Sequence, residues 1–345
     1  MLPLFVLKEL EVAPPRSQAS GMRTFPLAFA LLIAFTTFAA PTDDAYHLGP
    51  DSMPQPNVPQ GKVIGPTTLE SKKVWPGTTR NYWVYVPAQY DGKTPACLMI
   101  FQDGHYFVSA KADYRIPTVF DNLISRREMP VTIAVFINPG HTASQTESTD
   151  SEWGDKTNNR GLEYNALDDK YATLIIDELM PVLTKEYKIS EKPEDHAIAG
   201  ASSGAICAFT VAWQRPDTFR KVISTIGSFT NIRGGHVYPD LVMKTDPKPV
   251  RVFLQDGVND NRGMRGGKYD PKWDWHAQNI KMAAALTERH YDVNYVWGLG
   301  THSNKQGGAI MPDMLRWLWR DYPRTDDPQD ASNRGFFLPA GSPKE

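Results

Sequence analysis

Short apolar runs alternate with segments of helical spacing through most of the chain, and this alternation limits the folds it can adopt. Residues 97–101 and 131–137 are apolar throughout, as in strands buried on both faces. The remaining predicted strands are residues 67–75, 80–87, 195–199, 221–226, 250–254 and 293–297, and the predicted helices are residues 116–126, 166–187, 204–214, 273–290 and 309–319. The pattern predicts an α/β fold with a mainly parallel central sheet covered by helices on both faces.

Composition narrows the class of protein further. The 345 residues are 41% hydrophobic, enough for a substantial core, and the net charge is −2 without a long run of one sign. A nucleic-acid partner requires a basic surface, so none is predicted. Cys97 and Cys207 are the two cysteines. They are expected to be buried free thiols, with a disulfide left open. No metal-binding cysteine or histidine cluster is apparent, and no cofactor is predicted.

The N-terminal region has the anatomy of a signal peptide. Met22-Arg23-Thr24 provides a positive start, residues 25–38 are apolar, and small residues follow. The apolar run is too short for a membrane span. We therefore predict a signal peptide at residues 1–40, with Met22 an alternative start. Its removal leaves a mature chain without a membrane span, secreted or periplasmic.

The rest of the chain is divided by composition. Residues 41–62 are rich in Pro, Asp and Gln and predict a linker, residues 63–323 a single domain, and residues 324–345 a C-terminal tail. A polar stretch at residues 138–165 lacks a clear period, which indicates either a functional loop or partial disorder.

A nucleophile motif lies between a predicted strand and a predicted helix. Gly200-Ala201-Ser202-Ser203-Gly204 fits the pattern G-x-S-x-G, in which small residues allow a sharp turn that exposes the serine hydroxyl at the sheet edge. The helix that follows directs its N–H groups and positive dipole end toward the same point. Ser202 is the predicted nucleophile, since Ser203 lacks glycines at the right offsets.

A serine hydroxyl needs a base, and the base needs an acid that orients it. His302 follows the last predicted strand in a glycine-rich loop, which makes it the predicted base. Asp260 follows the strand at residues 250–254 and is the predicted acid; Asp256 remains the alternative. The chain order Ser, Asp, His is the one used by α/β-hydrolases.

Two N–H donors are expected to hold the oxyanion of a tetrahedral intermediate. Ser203 N–H is the first, directly after the nucleophile. The loop after the strand at residues 97–101 supplies the second: Gly104 allows the turn, and His105 N–H is the predicted donor. An ordinary tight turn is the alternative interpretation of this loop.

These motifs together resemble the esterase family of the α/β-hydrolases that includes enterochelin esterases, esterase D, the feruloyl and acetylxylan esterases of carbohydrate esterase family 1, and the mycolyltransferases. The resemblance spans roughly residues 63–322 and rests on Phe101-Gln102-Asp103-Gly104, Gly200-Ala201-Ser202-Ser203-Gly204, Arg215-Pro216-Asp217-Thr218-Phe219, Gly257-Val258-Asn259-Asp260 and Gly300-Thr301-His302. Arg160-Gly161-Leu162-Glu163 is similar to the Arg-x-x-Glu segment of enterochelin-esterase-like members. Cytoplasmic enterochelin esterases carry an extra N-terminal β domain, whereas in this chain only a short leader precedes the region of resemblance.

The resemblance and the motifs predict a serine ester hydrolase whose substrate is a small-molecule or carbohydrate ester. Four residues in polar loops, Trp153, Arg160, Glu163 and Trp273, are candidates for binding a sugar or a catechol-bearing ester by stacking and hydrogen bonding. Solvated loops with core aromatics are the alternative. Acyl transfer of the mycolyltransferase type, peptidase activity and a non-catalytic binding module remain competing functions.

Overall fold

The computed structural model of the protein describes residues 42–149 and 157–322. Its strands are β1 (Lys62–Glu70), β2 (Thr79–Val86), β3 (Cys97–Gln102), β4 (Thr132–Ile137), β5 (His196–Ala201), β6 (Lys221–Thr225), β7 (Arg251–Gly257), β8 (Met264–Arg265), β9 (Lys268–Tyr269) and β10 (Asp292–Gly298). Its helices are α1 (Gly104–Val108), α2 (Ile116–Ser125), α3 (Arg160–Tyr164), α4 (Lys170–Leu174), α5 (Met180–Glu186), α6 (Ser203–Gln214), α7 (Tyr238–Lys244), α8 (Trp275–Glu288) and α9 (Asn304–Leu318).

Eight of these strands form one sheet in the order β1-β2-β4-β3-β5-β6-β7-β10. Strands β1 and β2 pair antiparallel, as do β2 and β4, and every other neighbouring pair in this sheet is parallel. Strands β8 and β9 form a separate small hairpin. The predicted α/β-hydrolase fold, with a mainly parallel sheet, is confirmed.

The sheet separates two apolar cores, which explains why its central strands are apolar at most positions on both faces. In β3, Leu98 and Ile100 face the core under α6 and α8, whereas Met99 and Phe101 face the core under α2 and α9. Alternate side chains of a strand point to opposite faces. A strand between two helical layers must therefore be apolar throughout.

The helix predicted at residues 166–187 is shorter and interrupted. It begins at Lys170, and the five residues Ile175–Leu179 form a wide π-helical turn between α4 and α5. Met180 N–H donates to Ile175 O, five residues earlier. Pro181 follows directly and has no N–H, so the regular bonding pattern breaks at this point.

The segment before β1, where a linker is predicted at residues 41–62, packs on the domain. Asp51 forms ion pairs with Arg126, directly after α2 (2.6 Å), and with Arg316 on α9 (2.5 Å). The Pro-rich composition indicated irregular backbone, which is correct, but its polar side chains find partners far along the chain.

The predicted signal peptide (residues 1–40) and C-terminal tail (residues 324–345) lie outside the described residues. Within the described ranges, no helix combines the length and apolar character that crossing a bilayer requires. Cys97 and Cys207 are buried and form no disulfide, which confirms the expectation of free thiols.

Candidate active site

Ser202 lies at a strained turn between β5 and α6. Its backbone has φ 56° and ψ −120°, a conformation that costs free energy and persists only where the surroundings enforce it. The turn is tight enough to require glycine nearby, because a Cβ on Gly200 would lie 2.3 Å from the carbonyl carbon of Gly204. The hydroxyl is consequently raised at the carboxyl edge of the sheet.

The three side chains of the predicted triad lie in contact. His302 Nε2 is 2.8 Å from Ser202 Oγ, and His302 Nδ1 is 2.7 Å and 3.0 Å from the two carboxylate oxygens of Asp260. The Asp260 side chain is fully buried, whereas the ring of His302 is 24% exposed. Because an ionised carboxylate only accepts, Nδ1 carries a proton and Nε2 is free to accept the serine proton.

Ser228 and Trp275 also contact this site, although the sequence motifs did not point to Ser228. Trp275 Nε1–H donates to Ser228 Oγ (3.1 Å), and Ser228 Oγ lies 3.2 Å from Ser202 Oγ. Since an indole N–H only donates, and the Ser202 proton is directed at His302, the Ser228 hydroxyl donates to Ser202 Oγ. The Trp275 ring packs edge-on against His302, 5.3 Å between centroids.

Asp256, the alternative acid, lies behind Asp260 and does not reach the imidazole of His302. Its carboxyl is fully buried and accepts hydrogen bonds from Gly257 N–H (2.8 Å) and Asn279 Nδ2 (2.9 Å). Burial, followed by the charge of Asp260 and a side-chain hydrogen bond to it, raises the pKa of Asp256 well above its usual range. Asp256 therefore lies behind Asp260 as a buried carboxyl whose neutral form is favoured by its surroundings.

The buried acid gives a stability prediction for Asp256→Asn. Above about pH 3.9, the ordinary pKa of unfolded aspartate, the folded wild type holds a proton that the unfolded chain releases. Its free energy of unfolding should thus fall with rising pH, relative to that of the variant, by up to about 1.4 kcal/mol per pH unit. Urea unfolding of both proteins between about pH 5 and pH 7 measures this difference. If the free energies of unfolding of the two proteins changed with pH in the same way, Asp256 would be ionised in the folded state.

The predicted oxyanion donors lie at two neighbouring strand ends. Ser203 begins α6, so its N–H has no acceptor within the helix. Gly104 and His105 begin α1 directly after the buried, left-handed Asp103 (φ 56°). His105 N–H already donates to Asn138 Oδ1 (3.1 Å), and the ring Nδ1 lies 2.8 Å from the same oxygen. To hold an oxyanion, this N–H would have to be released by Asn138.

Arg160 was expected to contact substrate, but its side chain is buried in an ion pair. Its Nε and Nη2 atoms each lie 2.8 Å from a different carboxylate oxygen of Asp103, and both side chains are almost fully buried. Asp103 N–H also donates to the hydroxyl of Tyr164 on the same helix (3.2 Å). This ion pair joins α3 to the turn that carries Gly104 and His105.

Glu163, the second candidate of this segment for substrate binding, is buried as well. Its carboxylate makes a two-point ion pair with Arg80 on β2 (2.5 Å and 3.2 Å), and neither side chain is exposed. The carboxylate also accepts from Gly140 N–H (3.1 Å). Glu163 therefore joins α3 to β2 and to the loop after β4.

Replacing Arg160 with methionine should destabilise the fold. The carboxylate of Asp103 would stay buried without its cation, at a cost of about 3–5 kcal/mol. Arg215→Met is the matched control, because the Arg215–Asp217 pair is largely exposed and should contribute less than about 1 kcal/mol. Chemical denaturation of the three proteins measures both effects. Equal losses for the two variants would refute the structural role of the buried pair.

The other two substrate candidates differ in what the structure describes. Trp153 lies outside the described residues. Trp273 is half-buried next to the hairpin of β8 and β9, with the guanidinium of Arg265 over its ring at 3.9 Å. It is Trp275, two residues later, that contacts the ring of His302. Across the part of the chain that the structure describes, no cluster of His, Cys, Asp and Glu suited to a metal was found.

Comparison with known proteins gives a family match over most of the domain. A family model described as "Putative esterase" matches residues 75–318, which include Ser202, Asp260 and His302. No curated protein matches this chain significantly.

Solved structures share the fold at low sequence identity. An enterobactin esterase from Shigella flexneri is 19% identical with a TM-score of 0.58; the match covers 79% of this chain and 62% of that one. A ferulic acid esterase from the anaerobic fungus Anaeromyces mucronatus is 18% identical with a TM-score of 0.56, covering 79% and 97% of the two chains. Another ferulic acid esterase is 20% identical with a TM-score of 0.57, covering 76% and 98%. The chain thus spans about three fifths of the Shigella protein.

Proposed function

Because the chain belongs to the family described as "Putative esterase", we propose that it is an exported serine hydrolase of carboxylic esters with Ser202, His302 and Asp260 as its catalytic residues. The observation that carries this proposal is the unbroken contact from the Asp260 carboxylate through the imidazole to Ser202 Oγ. A serine is activated when a base contacts its hydroxyl and an acid orients that base.

Acylation begins when Ser202 Oγ attacks the ester carbonyl and its proton passes to His302 Nε2. The Asp260 carboxylate stabilises the imidazolium that forms. Ser203 N–H binds the developing oxyanion, and the Gly104–His105 segment supplies the second donor once His105 N–H leaves Asn138. The imidazolium then donates its proton to the alcohol oxygen as the ester bond breaks.

Deacylation follows the same route with water in place of the alcohol. His302 removes a proton from water as the water oxygen attacks the acyl carbonyl, and returns that proton to Ser202 Oγ as the acid leaves.

The proposed substrate is an ester of a carbohydrate, such as a feruloyl or acetyl ester, or a siderophore ester. The names of the solved structures, enterobactin esterase and ferulic acid esterase, support these classes. A cavity of about 500 Å³ next to His105 adds support, because an aromatic ring (Trp83) and polar groups (Asn81 and Glu147) line it. Such a lining suits a ligand with both apolar faces and hydroxyl groups.

A panel of esters tests the proposal. Feruloyl, acetyl-sugar and catecholate trilactone esters are offered to the purified protein, with a fluorophosphonate probe to report an activated serine. We expect rapid labelling and hydrolysis of at least one ester. Transfer products in the presence of polyols would identify an acyltransferase instead, and absence of labelling would identify a non-catalytic binding module.

Export is the part of the proposal that rests on residues 1–40. N-terminal sequencing of the protein from the cell exterior or periplasm should give a first residue at Ala40 or Pro41. Recovery of the uncut chain inside the cell would contradict export.

A further inference from the structure

The loop that carries His302, residues 298–303, is called here the base loop. One side of it is joined to the loop that carries Asp260, through backbone carbonyls that accept hydrogen bonds. The bonds run from Val258 N–H to Gly298 O (2.8 Å), from Asn259 Nδ2 to Leu299 O (2.8 Å) and from Asn259 N–H to Gly300 O (3.2 Å). These contacts fix the spacing between acid and base.

The other side of the base loop is held by a segment more than 250 residues earlier in the chain. Asp43 accepts Thr301 N–H at Oδ1 (2.8 Å) and the Thr301 hydroxyl at Oδ2. Tyr46 OH accepts Leu299 N–H (2.6 Å). The carboxylate of Asp43 therefore binds the residue directly before His302 through both of its oxygens.

The contact is close and shielded from solvent. Asp43 is 2% exposed although it lies near the beginning of the described residues. A Cβ on Gly298 would lie 2.2 Å from Gln306 Nε2 and 2.3 Å from Tyr46 Oη, so glycine there leaves room for both side chains. Without Asp43, the N–H and hydroxyl of Thr301 would lose their charged acceptor, and such a loss is costly for buried groups.

We propose that Asp43 is a positioning residue that holds the base loop so that His302 Nε2 meets Ser202 Oγ. The proposal depends on the proposed function, because it concerns the geometry of that reaction. It also means that the segment directly after the predicted signal peptide completes the active site. A displacement of about 1 Å in a catalytic group can reduce the rate by about 100-fold.

The test compares Asp43→Ala with Asp44→Ala. Asp44 is the matched control, because its exposed carboxylate contacts Lys305 Nζ on α9 (2.6 Å) and not the base loop. For Asp43→Ala we expect kcat to fall by about tenfold or more with KM unchanged, because the imidazole is displaced while substrate contacts remain. Asp44→Ala should retain the kcat and KM of the wild type.

Two further variants separate positioning from stability. Asp43→Asn keeps an oxygen for Thr301 N–H and offers its amide to the Thr301 hydroxyl, so it should recover most of the kcat. Thr301→Val combined with Asp43→Ala should be no slower than Asp43→Ala alone, since the hydroxyl contact that Thr301→Val removes is already absent in Asp43→Ala.

Probe labelling of Ser202 decides between the possible failures. If Asp43→Ala lowers the melting temperature but folded protein labels and turns over like the Asp44→Ala control, the positioning role is wrong. If the wild type itself neither labels nor hydrolyses any ester, the proposed function is wrong instead.

Discussion

Replacing Ser202 with alanine should lower kcat by on the order of 10⁴ or more, with little change in KM. The variant loses the oxygen that forms the acyl-enzyme, so neither the imidazole of His302 nor the N–H of Ser203 has a covalent intermediate to act on. The Ser202 hydroxyl is needed for the reaction rather than for substrate binding, so KM should stay close to that of the wild type. Steady-state hydrolysis of the preferred ester, together with probe labelling, measures the loss.

Ser203→Ala provides the contrast, because it keeps the backbone N–H that the mechanism uses. Its loss should be far smaller than that of Ser202→Ala. If Ser202→Ala still reacted with the probe and Ser203→Ala did not, Ser203 would be the nucleophile instead of Ser202.

Replacing Asp260 with asparagine should lower kcat by about 10³–10⁴. The amide is nearly the same shape as the carboxylate, but its NH₂ group can donate to His302 Nδ1 and so favours the tautomer that carries its proton on Nε2. That tautomer cannot accept the proton of Ser202. The kcat and the rate of probe labelling of this variant should therefore fall together.

Asp256→Asn is the matched variant for this experiment. Asp256 is buried beside Asp260 and its pKa is raised, so a neutral amide of the same size avoids adding a charge there. Its kcat should stay within about tenfold of that of the wild type, because His302 Nδ1 is held by Asp260 and not by Asp256. If Asp256→Asn were instead the inactive variant, the catalytic acid would have to be reassigned to Asp256.

The fold could be predicted because its signal is repetitive and local. Continuous apolar runs such as residues 97–101 indicate strands covered on both faces, and the structure has β3 and β4 in the centre of the sheet. Ser202, Asp260 and His302 could be proposed because each follows a strand, and the carboxyl ends of parallel strands share one edge.

Charged groups with distant partners could not be assigned in this way. Arg160 and Glu163 lie in a polar stretch that suggested a substrate-binding loop, yet their ion-pair partners Asp103 and Arg80 are 57 and 83 positions away in sequence. Asp43 likewise lay in a segment whose composition indicated a linker. Burial of such residues follows from three-dimensional pairing, which hydrophobic periodicity does not encode.

The row of hydrogen bonds from Trp275 through Ser228 and Ser202 to His302 begins at an indole, which can only donate. Because the indole N–H occupies one lone pair of Ser228 Oγ, the Ser228 proton can point at Ser202 Oγ while the Ser202 proton points at His302 Nε2. The oxygen that attacks the ester therefore has a hydroxyl donor beside it at the moment when it gives up its own proton.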